Sequence, residues 1–200
     1  MKKILGIIVL LIFAGYLGFT GVSDLVNKKD IKQPEICCAM EILEVEHSIN
    51  GIIPTGKDHY YLAIDTNEED FYVIHAPKKW MEKNNIPEVS ADVSGTSIKI
   101  KGLEKRVGDY KVRDALYGNL KELFNNPMDS ASNVVSSEYC IEINYIQTAL
   151  TKLIGLGSLL VIAAAVLISV KKGVTIGKTG GVILLVCSIV GMVCILVSLR

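Results

Sequence analysis

No acidic residue occurs before Asp24 or after Glu142, although the 200 residues include 21 Asp and Glu against 21 Lys and Arg. The formal net charge is zero, and no long basic run exists to neutralise phosphates, which argues against nucleic acid as a partner. Aromatic residues make up only 6% of the chain, with one Trp. Cys-x-x-Cys is absent, which removes the usual dithiol redox motif. No Ser-His-Asp order, nucleophile elbow or paired carboxylates can be argued from the residues, so no catalytic residue, cofactor or metal ligand is assigned.

What the chain does have is apolar length. Ile4–Ser23, Leu153–Val170 and Thr179–Leu199 are uncharged and rich in Ile, Leu, Val, Ala and Gly. A helix rises 1.5 Å per residue, so about 20 such residues cross the hydrocarbon of a bilayer with every backbone group bonded internally. The sequence therefore predicts three spans: an N-terminal signal anchor (1–23), a soluble α+β domain (24–150) and a transmembrane helical hairpin (151–200). The lipid bilayer is the first partner this implies. The first run is long for a signal-peptide core and is followed by no small-x-small site, so it is read as uncleaved. Short cytoplasmic segments are enriched in Lys and Arg. Lys2, Lys3, Lys171, Lys172 and Lys178 fall on one side of such a layout, which predicts a cytoplasmic N-terminus and an extracytoplasmic domain.

Within 24–150 the order expected is β-β-β-α-β-α-β. Strands are expected at Ala39–Ile49, His59–Asp65, Phe71–His75, Ser97–Leu103 and Tyr139–Ile146, where apolar and polar residues alternate. Asn50-Gly51 and Pro54–Asp58 carry turn chemistry. Helices are expected at Lys78–Asn84, opened by Pro77, and at Asp109–Phe124, where Val112, Leu116, Leu120 and Leu123 share a face. A small twisted barrel of OB type fits this order, and a half-open sheet fits nearly as well.

The segments Ile53–Leu62 and Ser97–Leu103, with the helix after them, resemble those of small membrane proteins of Gram-positive bacteria that carry one N-terminal span, an extracytoplasmic β-rich domain and a C-terminal helical hairpin. More distantly the layout is similar to membrane-anchored OB-domain proteins of the NfeD kind. The first family has no assigned activity, so the resemblance implies an architecture and no site residues.

Candidate sites follow from residue types. Cys37, Cys38 and Cys140 bracket the domain, and a disulfide from Cys140 to Cys37 or Cys38 would close a loop of about 100 residues, worth up to about 4–5 kcal/mol. Free buried thiols and a thiol-redox role are the alternatives. Tyr60, Tyr61, Tyr72 and Trp80 form the densest aromatic group; half of them at most can leave the core, and that half is the candidate binding face. His47, His59 and His75 fall on strands without a supporting acid at ligand spacing. The acidic turn Asn67–Asp70 lacks a calcium-loop pattern, and Lys172–Thr179 departs from the phosphate-loop spacing. Small residues at Gly155, Gly157, Gly180, Gly181 and Gly191 predict close helix packing in lipid and offer a surface for self-association. No ionisable residue lies in the middle of the apolar runs, which argues against transport by this chain alone. The function expected is a non-enzymatic binding or scaffolding module for an envelope or membrane-protein partner. A thiol-redox accessory or enzyme, or a subunit of a transporter, is the alternative.

Overall fold

The computed structural model describes residues 2–26, 28–49, 53–66, 70–89, 97–124, 136–172 and 177–198. The chain divides into two compact units, one of Met1–Lys28 with Tyr145–Arg200, the other Lys29–Asn144.

The first unit is helical: α1 (Lys2–Val26), α4 (Tyr145–Lys172) and α5 (Lys178–Ser198). Two stretches are long and apolar enough to cross a membrane, Gly6–Val26 and Tyr145–Lys171. Among the described residues the third expected span is not one of these: the described apolar part of α5, Thr179–Ile195, is shorter than either. The outer faces of this unit are themselves apolar. Ile12 is 64% exposed, Phe19 78% and Met192 64%. A soluble bundle buries such faces, whereas lipid accepts them. The inward faces pack through small residues. A Cβ at Gly155 would sit 2.6 Å from Cys194 Cβ and 2.9 Å from Leu17 Cδ1, and one at Gly191 would sit 3.0 Å from Leu159 Cδ2. Both glycines are therefore used within the chain, while Gly157 and Gly181 face open space.

Both long helices extend past the apolar runs, and this brings charge inside. Gly21 lets α4 approach α1 closely, since a Cβ there would meet Lys152 Cβ at 3.1 Å. Beside it Lys152 Nζ donates to Asp24 Oδ2 at 2.8 Å, with both side chains about nine-tenths buried (10% and 13% exposed). Asp24 and Lys152 lie just outside the two uncharged runs, near the ends of the longer helices.

The second unit is an α+β domain built on a curled seven-stranded sheet, a half-barrel, in the order β1-β6-β7-β4-β3-β2-β5. The strands are β1 (Ile31–Lys32), β2 (Glu35–Ile49), β3 (Ile53–Asp65), β4 (Phe71–His75), β5 (Ile98–Lys99), β6 (Gly102–Arg106) and β7 (Tyr139–Glu142). Helix α2 (Lys78–Lys83) follows β4, and α3 (Tyr110–Phe124) follows β6. Every expected strand and helix has a counterpart, but a short β1 not expected from the sequence precedes β2 and the strand expected at Ser97–Leu103 is divided into β5 and β6, so the order is β-β-β-β-α-β-β-α-β. Pro54–Asp58, expected as turn, is part of β3, with Gly56 at φ 145. Residues 143–146 leave the last strand because Tyr145 starts α4. Asn50-Gly51, 67–69, 125–135 and 173–176 lie outside the described residues.

Alternation along the strands builds two cores. On one face Tyr60, Leu62, Val73 and Cys140 pack under α3 through Val112, Leu116 and Leu120. On the other, Ile36, Ala39, Tyr61, Ala63, Ile74 and Ile100 surround Met81 of α2, with Trp80 packed against them. In α3 the stripe continues to Phe124, whose ring meets Phe71 edge-on at 5.0 Å, while Leu123 is 44% exposed. At Gly102 the chain passes so close to β7 that a Cβ would collide with Ile141 Cγ2 and lie 2.9 Å from the Glu142 carbonyl oxygen. Gly102→Ala should therefore destabilise the domain by about 1–3 kcal/mol, read by chemical unfolding of the full chain in detergent.

Candidate functional site

Four adjacent strands each contribute one residue to a polar row on the α3 face. From β2 comes His47, from β3 Asp58, from β4 His75 and from β7 Glu142. The register pairs His75 with Glu142 and with Tyr60, while Asp58 faces Val45. His47 Nε2 lies 2.7 Å from Asp58 Oδ2, Asp58 Oδ1 lies 3.7 Å from His75 Nε2, and His75 Nδ1 lies 2.5 Å from Glu142 Oε2. Glu142 Oε1 also accepts the Asn144 backbone N–H at 3.2 Å. Each of the four side chains is less than a quarter exposed. Tyr60 stacks on the His75 ring with centroids 4.7 Å apart, a favourable place for an imidazolium.

The electrostatics follow from this enclosure. Burial opposes the charge on His75, but the carboxylates of Asp58 and Glu142 at its two ring nitrogens overcome it and hold its pKa up at about 9. Burial likewise pushes Asp58 up, and the contacts with His75 and His47 prevail, bringing it down to about 2. At neutral pH His75 is thus a cation between two anions. A general base needs a free nitrogen lone pair and a pKa near the working pH. Both ring nitrogens of His75 face carboxylates, and the row ties four strands together.

On the opposite sheet face stands a second polar group. His59 Nδ1 lies 2.7 Å from Glu41 Oε1 and 3.6 Å from Glu44 Oε2. Lys57 Nζ donates to Glu44 at 2.5 Å and to Glu46 at 2.8 Å, and the Glu44 contact with Lys57 depresses the Glu44 carboxyl. Every histidine therefore has a carboxylate partner, which the sequence reading missed. The signal was available: with β2 and β3 paired antiparallel, Glu44 stands opposite His59.

The cysteines are all free thiols. The expected disulfide from Cys140 to Cys37 or Cys38 is not formed, because β3 and β4 lie between β2 and β7. Three strand spacings of about 4.8 Å exceed the roughly 7 Å limit for a bridge. Cys140 is packed under α3, where burial, followed by the Glu142 charge, pushes its thiol up to about 12 against the pull of Lys105. Cys37 is half-buried, with its Sγ 3.6 Å from Cys38 Sγ and 3.5 Å from the Ile64 carbonyl. The aromatic candidates divide between the faces. Tyr60 belongs to the α3 core, Tyr61 to the α2 core, and Tyr72 and Trp80 pack at the edge of the latter. Tyr72 also lines an open cleft of about 390 Å³ with Lys32, Pro34, Glu35 and Thr66.

No family model, curated protein or solved structure matches this chain.

Proposed function

We propose that this chain is an integral membrane protein whose 24–150 segment serves as a non-catalytic binding or scaffolding module for an envelope or membrane-protein partner. The observation that carries the reading is the outward apolar surface of α1 and α4, which flank the domain in sequence and need lipid around them. The engagement of His75 by carboxylates on both ring nitrogens supports a non-catalytic role. An OB-type closure of the barrel is supported by register. Ile31, Lys32, Glu35 and Ile36 pair with Leu103, Gly102, Lys99 and Ile98, and Ile100 N–H donates to the Pro34 carbonyl at 3.1 Å between them. These pairs read as one antiparallel seam between the two ends of the sheet.

Two crossings suffice for the orientation: with α1 and α4 spanning, Lys2, Lys3, Lys171 and Lys172 share the cytoplasmic side and the domain is extracytoplasmic. Thiol-redox work is the second reading, favoured by the Cys37–Cys38 contact. Both are tested by treating intact cells expressing the protein with a membrane-impermeant maleimide. The expected result is slow labelling that is lost in Cys37→Ser, with the protein remaining in the membrane fraction after an alkaline wash. Labelling only after lysis would reverse the orientation. Rapid labelling at neutral pH, with mixed disulfides trapped on Cys37, would favour redox work, since only a thiolate attacks quickly.

A further inference from the structure

The register of β2 and β3 shifts between Glu41 and Leu43, leaving Ile42 as an extra residue in β2. Its carbonyl is taken by Asn119 Nδ2 of α3 at 2.5 Å. Residues three apart on a regular strand point to opposite faces. Here the bulge turns Glu41 and Glu44 to the same face, the one occupied by His59, as bulges do when they re-aim side chains. The three donors, Glu41, Glu44 and His59, offer atoms that all lie within 4.8 Å of one another.

A second observation comes from the neighbouring residue. Tyr61 stands opposite Glu41 in register, and its ring lies parallel to His59 with centroids 6.4 Å apart. The side chain is only 6% exposed, and its buried hydroxyl has no hydrogen-bond partner among the described residues. Its place directly opposite Glu41 and beside the His59 ring, on one sheet face, sets it against the carboxylate group. A buried donor without an acceptor costs about 1–3 kcal/mol. An ion-bound water or a ligating carboxylate would accept its proton.

We propose that Glu41, Glu44 and His59 form a binding site for a divalent first-row transition ion, with Tyr61 as an outer donor. One imidazole and two carboxylates suit such ions better than calcium or magnesium, which favour oxygen alone. Glu41 and Glu44 are a third or more exposed, so the ion reaches the site from solvent while His59 anchors it from within. Lys57 competes, because its ammonium already holds Glu44 and Glu46.

Mn²⁺ is the probe of choice, since it avoids the five thiols that would take up zinc. Titration of the full chain in nanodiscs, followed by the loss of the free-ion paramagnetic resonance signal, should show one Mn²⁺ per chain. Glu41→Gln and Glu44→Gln should each weaken binding by about tenfold or more, and Glu104→Gln, on β6 beside Lys32, should leave it unchanged. Lys57→Ala should tighten binding severalfold, a gain that misfolding cannot produce. Trp80 fluorescence verifies the fold of each variant. No uptake by the wild-type chain, or equal uptake by Glu41→Gln and Glu44→Gln, would overturn the proposal. Neither result would touch the membrane-module reading, which does not depend on this site.

Discussion

Lys152→Met should lower the apparent melting temperature of the full chain in detergent by roughly 10 °C, whereas Asp24→Asn with Lys152→Met should recover most of the loss. The pair is 2.8 Å apart and about nine-tenths buried between α1 and α4. Removing one member of a buried ion pair takes away the attraction while the other charge stays buried, at a cost of about 3–5 kcal/mol. At roughly 2–4 °C per kcal/mol for a chain of this size, that is a large shift. Replacing both members by neutral groups removes the desolvation cost along with the attraction, which is why the double variant recovers. The far-UV circular dichroism of the helices reports the transition. A single variant that melts with the wild type would show that water reaches the pair and that the helices do not enclose it.

The second expected result is a loss of domain stability as pH rises above neutrality. His75 has its pKa raised from 6.5 to about 9 in the folded state. Its folded form binds the proton more tightly than the unfolded chain does, so its contribution is complete below about pH 6.5 and disappears as pH passes through 9. The full contribution is at most about 3 kcal/mol, of which about 2 kcal/mol is lost between pH 6 and 8.5. Asp58, depressed from 3.8 to about 2, acts in the opposite window: its contribution is present above about pH 4 and lost as pH falls through 2. The two shifts describe one interaction from its two ends and are counted once. Stability should therefore be greatest between about pH 4 and 6.5. Urea unfolding followed by Trp80 fluorescence at pH 6 and 8.5 measures the change, and His75→Gln should flatten it. A wild-type stability that does not fall over this range would mean that the row is not coupled to folding.

The sequence alone determined the parts of this protein that depend on local pattern. Uncharged runs of Ile, Leu, Val and Gly have one stable backbone solution in lipid, so the helices were legible from residue type, although α5 proved short and α1 and α4 long. Period-two alternation gave the strands, and the four-residue spacing of Val112, Leu116 and Leu120 gave α3 its buried face. Pro77 marked the start of α2 because its missing N–H costs nothing there.

What tertiary structure decided were the pairings between segments far apart in the chain. The row His47, Asp58, His75 and Glu142 spans 95 positions, and only the parallel placement of β7 beside β4 brings Glu142 to His75. The same strand order separated Cys140 from Cys37 and Cys38, although chain spacing alone left a bridge open. Lys152 reaches Asp24 only because α4 begins at Tyr145 and Gly21 admits it beside α1. The bulge at Ile42 reversed the facing of one carboxylate relative to another, and no periodicity in the residues marks it. Hydrophobic pattern is fixed within a segment, whereas register and strand order are set by the whole sheet at once, and the polar chemistry of this domain depends on them.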